Sequence, residues 1–205
     1  MEFPERISAR LTAVIADNVE ELSEQKLAEI NYGIAVFITN AYKLLFVFIL
    51  ALLLGIFNYF MIAFMSFGAL RTFASGVHAK GEWTCLPLST LFFFGIVYVG
   101  LAVKLDIYMI SILFALCFAA VLRYAPADTE EKPIVSRKLR RKLKIMSCLA
   151  LAALYLVSVY TLGTSTASII TFAVLVETIL ILPVTYKLAG SMYGVGININ
   201  KKKEV

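Results

Sequence analysis

One histidine and three cysteines are all the imidazole and thiol that 205 residues offer, and there is a single tryptophan. Cys85, Cys117 and Cys148 form no CxxC pair, and one histidine with scattered cysteines does not assemble a structural zinc site. They give no disulfide framework either. Charge is scarce as well: Asp, Glu, Lys and Arg make up only 16% of the chain against 60% hydrophobic residues, and mean hydropathy is +0.85. That balance excludes an ordinary soluble domain and indicates an all-α, polytopic membrane protein. The first residues lack the basic segment and apolar core of a secretory signal peptide. No cofactor, metal ion or nucleic-acid partner is expected. Cys117 and Cys148 lie in or beside apolar runs and read as small packing residues.

Residues 1–32 differ from the rest. Ile7, Leu11, Val14, Ile15, Val19, Leu22, Leu27 and Ile30 recur mostly at three- and four-residue steps, and acidic residues occupy much of the other face. The pattern predicts amphipathic helix with a break near Leu22–Ser23. Such a helix can lie on a lipid surface, or pack against basic loops of the same chain.

Six apolar runs follow, at 33–57, 59–75, 86–103, 107–123, 145–162 and 168–188. Several are only about 17 residues, the lower limit for crossing a bilayer, so transmembrane and re-entrant helices are both expected. Lys104-Leu105-Asp106 reads as a tight turn, and 124–144 as a long polar loop. That loop holds Lys132, Arg137, Lys138, Arg140, Arg141, Lys142 and Lys144, and the tail ends in Lys201-Lys202-Lys203. The positive-inside rule then puts the loop, both termini and the segment with His78 and Cys85 in the cytoplasm. Three regions are expected: 1–32, cytosolic or interfacial; 33–189, an integral membrane domain; and 190–205, a basic cytosolic tail. Glu177 falls inside the sixth run. An acid at that depth is either a functional group or is satisfied by a Thr or Tyr on a neighbouring helix, or by water near the bilayer edge.

Chemistry concentrates in Arg71–Cys85, which carries the lone histidine, the lone tryptophan and the one cysteine outside the apolar runs. His78 and Cys85 are seven residues apart. On one straight helix they would be about 10 Å apart along the axis, too far for a thiol–imidazole contact of about 3–4 Å. If they cooperate, the helix must break, and Gly76 and Gly81 permit it. Pro87 then suits the first turn of a new helix capped by Thr84, with Cys85 near its positive end, where thiolate is favoured. Glu82 is the acid nearest to this pair in sequence and reads either as an orienting group or as a solvated side chain.

Two motifs carry a resemblance. Arg71…Gly76-Val77-His78-Ala79…Cys85 resembles the signature of the accessory gene regulator B (AgrB) family, and so does Tyr124-Ala125-Pro126-Ala127-Asp128-Thr129-Glu130-Glu131-Lys132-Pro133. Length, hydropathy and the basic central segment agree over nearly the whole chain. The family often has Gly-Gly before Val-His, where this chain has Ser75-Gly76. The resemblance implies a membrane cysteine endopeptidase of bacterial quorum sensing, acting as a homodimer in the cell membrane with its site facing the cytoplasm. It would cut an AgrD-like propeptide near its C-terminus and help close a cyclic thiolactone or lactone. Carried over, Cys85 is the nucleophile, His78 its base, and Arg71 and Gly76 fall on motif positions that support them; no third triad member is evident, and Glu82 is a supporting candidate only by its nearness in sequence. Asp128, Glu130, Arg137, Lys138, Arg140 and Arg141 are the candidates for holding the propeptide. The reading from another class is a non-catalytic peptide exporter or membrane scaffold.

Overall fold

A computed structural model describes residues 3–19, 23–77, 82–129 and 133–195, with backbone alone at 3–4 and 82–85. The described residues form eight helices: α1 (Phe3–Asn18), α2 (Glu24–Leu53), α3 (Phe57–Ala74), α4 (Glu82–Ala102), α5 (Ile107–Tyr124), α6 (Arg137–Tyr160), α7 (Ser165–Leu180) and α8 (Pro183–Leu188). No strand occurs among them. The chain divides into two compact units, Met1–Gly55 and Ile56–Val205. The lysine triplet at 201–203 lies outside the described residues.

In the first unit α1 packs along α2, and the Thr12 hydroxyl donates to the Asn31 side-chain oxygen at 3.4 Å. The expected break is present: Ser23 caps α2, its hydroxyl accepting from the Lys26 N–H at 3.3 Å. That bond satisfies one of the four N–H groups that a helix start leaves open. From Glu24 the helix runs without interruption to Leu53, short of the expected end of the first apolar stretch at 57, because the chain turns at Gly55 with φ 67°.

The second unit is organised around α7, which packs against α3, α4, α5 and α6. Its buried residues go most of the way round the helix, and Ala167, Ser168, Thr171 and Ala173 among them are small. Small side chains let backbones approach closely, which is how helices associate where lipid removes the hydrophobic drive between them. Gly100 of α4 is the tightest case: a Cβ there would lie 3.0 Å from the Ile169 Cα. Two polar residues of α7 turn inward on their own helix, Thr171 and Thr178 each donating at 2.7 Å to the carbonyl four residues earlier.

Helix α5 shows why this is a membrane-type fold. Ile110, Phe114, Cys117 and Val121 are buried along one face. Tyr108, Ile112 and Leu116 on the other face are apolar too, yet 77%, 61% and 63% exposed. A soluble helix would be polar there. Among the described residues α2, α5 and α6 are long and apolar enough to cross a membrane, while Leu86–Ala102 and Ser165–Leu180 are shorter apolar helices. Asp106 ends the predicted turn by capping α5, accepting from the Met109 N–H at 2.8 Å.

Three boundaries differ from expectation. The segment 124–144 is not all loop, because Ser136 caps α6 and the basic residues from Arg137 onward are helical. Lys, Arg and Leu are good helix formers, and Leu139 and Leu143 give the run a helical period. Helix α4 begins at Glu82, so Thr84 is inside the helix and not its cap, and Pro87 follows the first turn. The sixth run splits, α7 ending at Leu180 and α8 starting at Pro183. Proline has no N–H to continue the ladder and pushes Leu182 into extended geometry. The Ile179 carbonyl is served by the Thr185 hydroxyl instead, at 2.6 Å.

Candidate active site at the end of helix α3

Helix α3 stops at Ala74 because the next two residues leave helical geometry. Ser75 has φ 58° and ψ −152°, and Gly76 has φ 141°. Both lie where glycine is favoured. Gly76 is also sterically required: a Cβ would run into the Arg71 guanidinium and come within 3.3 Å of the Leu180 carbonyl oxygen.

Arg71 sits in the last turn of α3 and reaches forward over this bend. Its Nη2 donates to the Val77 carbonyl at 2.7 Å, and its Nη1 to the Ser75 carbonyl at 3.4 Å. Nη1 also lies 3.4 Å from both carboxylate oxygens of Glu177 on α7. The Val77 N–H donates to the Leu180 carbonyl at 3.2 Å. Both sides of the peptide around Val77 are thereby tied down. A Thr or Tyr was one partner expected for Glu177, and water another; the structure places Arg71 there. A fully buried carboxylate is costly unless it meets a countercharge, and hydroxyls supply none.

The second motif lies against the first. The Ala127 N–H donates to the Ala74 carbonyl at 2.8 Å, and Ser75 and Ala127 form an isolated parallel bridge. The Tyr186 hydroxyl of α8 donates to the Ala127 carbonyl at 2.7 Å. Tyr193, beyond α8, does the same for the Tyr124 carbonyl at 2.7 Å. Burial pushes the Tyr193 phenol above its ordinary range, so it remains a neutral donor. Arg140 of α6 closes the far side. It pairs with the buried Asp128 carboxylate at 2.9 Å and donates to the Pro126 carbonyl at 3.1 Å and the Ile134 carbonyl at 3.2 Å. The Ile134 N–H donates to the same carboxylate at 3.1 Å.

These contacts sort the candidate residues. Arg71 and Gly76 meet at the bend, and Asp128 and Arg140 meet in the motif that braces it. Arg137, Lys138 and Arg141 are exposed on the first turns of α6. His78 and Glu130 lie outside the described residues. Cys85 and Glu82 are in the first turn of α4, and their side chains lie outside the described residues. The separation of α3 from α4 is the helix break that cooperation between His78 and Cys85 requires. Sequence reasoning missed Tyr186, Leu180 and the Arg71–Glu177 pairing. The available signal for that pair was two opposite charges, each within or at the end of an apolar run.

Beside the bend is a cleft of about 470 Å³, walled by Phe64, Phe67 and Gly68 of α3, Leu88, Ser89, Phe92 and Phe93 of α4, and Leu188 of α8. Arg71 and Val77 line it as well. Leu88 and Ser89 follow Cys85 by three and four residues, the spacing of one helical face.

Fold and site together define a helical membrane protein with a braced loop between two of its helices. The family model for accessory gene regulator B matches residues 8–181. An AgrB-like protein of Clostridium acetobutylicum is 32% identical over 168 residues, covering 82% of this chain and 80% of that one. Accessory gene regulator protein B of Staphylococcus epidermidis is 30% identical, over 80% of this chain and 84% of its own. The protein of the same name from Staphylococcus aureus strain MRSA252 is 27% identical, over 80% and 87%. No solved structure matches. The chain belongs to the accessory gene regulator B family, and so has a role in the accessory gene regulator system.

Proposed function

We propose that this chain is a membrane cysteine endopeptidase of quorum sensing that cuts an AgrD-like propeptide and passes its acyl group to a cyclic thiolactone or lactone. The observation that carries the reading is the convergence of both motifs on the bend that precedes His78, next to the helix whose first turn contains Cys85. Arg71, Leu180 and Ala127 hold the backbone of the bend as far as Val77, the residue before His78, and a proton-transferring base needs such a support.

The reaction then runs in two steps. His78 takes the Cys85 thiol proton, and the thiolate attacks the scissile carbonyl carbon. The C–N bond breaks, the leaving amine takes the proton from the imidazolium, and an acyl thioester remains on Cys85. A thiol or hydroxyl of the peptide gives its proton to His78 and attacks that thioester, the Cys85 sulfur leaves as thiolate and takes the proton back, and the ring closes. Thioester-to-thioester exchange is nearly isoenergetic, so the product survives by exclusion of water. Two readings from the geometry support substrate placement. The apolar cleft suits an apolar side chain beside the scissile bond. Arg137, Lys138, Arg141 and Lys142 crowd the first turns of α6, where the helix dipole disfavours cations, and so form an attractive surface for an acidic tail.

In this reading residues 33–189 are the catalytic membrane domain, 1–32 and 190–205 flank it in the cytoplasm, and the protein works as a homodimer. The test is the full-length protein in vesicles with its propeptide, read by mass spectrometry. Wild type should give a released tail and a cyclised product, while Cys85→Ala and His78→Ala should leave the propeptide intact. Cleavage by Cys85→Ala at the wild-type rate would sink the reading. Delivery of a pre-cleaved peptide with no cutting step would make the chain an exporter.

A further inference from the structure

We propose that Glu177 is the positioning residue for the segment that presents His78, acting through Arg71. The inference rests on the reading of His78 and Cys85 as the reacting pair. Glu177 is fully buried in the helix at the centre of its unit, and the Arg71 side chain is 17% exposed. An aliphatic residue would fill the same volume without needing a countercharge, so packing alone does not account for an acid there.

The distances show how the pair works. The Arg71 contact with the Val77 carbonyl is 2.7 Å, and those with Ser75 and with both Glu177 oxygens are 3.4 Å. Charge-assisted bonds at their best are about 2.7–2.9 Å. The guanidinium is therefore bonded most closely to the loop. Glu177 supplies the opposing charge that makes this the favoured place for the cation. Leu180, three residues further along α7, accepts the Val77 N–H at 3.2 Å. Helix α7 thus grips both sides of the Val77 peptide, one side directly and the other through Arg71, and His78 is the next residue. Glu177→Gln keeps the shape and an acceptor but removes the charge. The guanidinium then has no counter-ion in a low-dielectric setting, and its hold on the Val77 carbonyl weakens.

The experiment compares full-length wild type, Glu177→Gln, Glu177→Asp, Arg71→Ala and the double variant Arg71→Ala/Glu177→Gln in vesicles, measuring propeptide cleavage and the rate of Cys85 alkylation by iodoacetamide. Glu177→Gln should lower kcat by about 10- to 100-fold, the scale of a misplaced catalytic group, with KM within about threefold. Alkylation of Cys85 should slow with it. Glu177→Asp should recover most of kcat. The double variant should be no slower than Arg71→Ala alone, because the two residues act as a unit. Wild-type kcat in Glu177→Gln, or losses that multiply in the double variant, would overturn the proposal. Should Glu177→Gln fail to accumulate in membranes, Arg71→Lys replaces it. That variant keeps the charge but cannot span Val77 and Glu177 together, so full activity in it overturns the proposal as well. If Cys85→Ala and His78→Ala cut normally, the endopeptidase reading fails and this inference with it. If those two are inactive while Glu177→Gln runs at the full rate, only the positioning role falls.

Discussion

The Tyr186 hydroxyl and the Ala127 carbonyl, 59 residues apart, meet at 2.7 Å in a buried setting. This bond fastens the second motif to the helix that follows the proline break. Tyr186→Phe leaves that carbonyl without its phenolic donor. The expected loss of stability is about 1–3 kcal/mol, the cost of stranding a buried polar group. Thermal unfolding in detergent measures it, and an unchanged midpoint would mean that the bond contributes nothing.

Tyr193 gives a pH dependence. Burial raises its folded-state phenol above the ordinary value of 10.0. The folded state therefore holds this proton where the unfolded state has lost it. Its contribution is complete below about pH 10 and falls as pH rises through the folded value. Tyr193→Phe should flatten the alkaline part of a stability–pH curve. Identical curves for both proteins would contradict the assignment.

Ser75 holds a backbone geometry that glycine adopts at little cost. Ser75→Gly should stabilise the protein by up to about 1 kcal/mol, once unfolded-state entropy is set against relieved strain. Gly76→Ala should do the opposite and abolish cleavage, since its Cβ has no room between Arg71 and Leu180. A melting curve and a cleavage assay on each variant decide the matter.

The cleft can be filled without disturbing its frame. A Cβ at Gly68 meets nothing within 4 Å. Gly68→Leu should therefore project into the space and raise KM for the propeptide about tenfold, the scale of a lost apolar side-chain contact, while Cys85 alkylation is unchanged. An unaltered KM would place the peptide elsewhere.

The basic cluster separates into two kinds of residue. Reversing Arg137, Lys138 and Arg141 to Glu should weaken cleavage and its salt dependence, since each exposed charge contributes roughly 1 kcal/mol or less. Arg140→Ala should instead cost about 3–5 kcal/mol of stability by stranding buried Asp128. Cleavage of wild-type rate and salt response in the triple variant would leave those charges without a part in binding.

Much of this was legible in the sequence because it rests on local rules. The break ahead of Glu24, the turn at 104–106 and the apolar run that forms α5 follow from periodicity, turn residues and hydropathy. Gly76 was legible as a helix break. The split at Pro183 was written in the chain but hidden by hydropathy, which sums apolar side chains and ignores a missing N–H. Arg140 was grouped with its basic neighbours because spacing along α6 cannot reveal a partner in the preceding loop. Glu177 and Arg71 are 106 residues apart, and no local rule joins residues so distant.

The early end of α7 has one more consequence. The last carbonyls of any helix are left open, and Leu180 spends its own on Val77. Had the helix continued through Pro183, that oxygen would have been taken up inside it. Glu177 and Leu180 are thus graduations on a ruler whose zero is the start of α7. One residue inserted between Ser165 and Glu177 would turn both marks by about 100° and shift them by about 1.5 Å. The length of α7 up to Leu180 is therefore set by the bend that it holds, and not only by the helices packed around it.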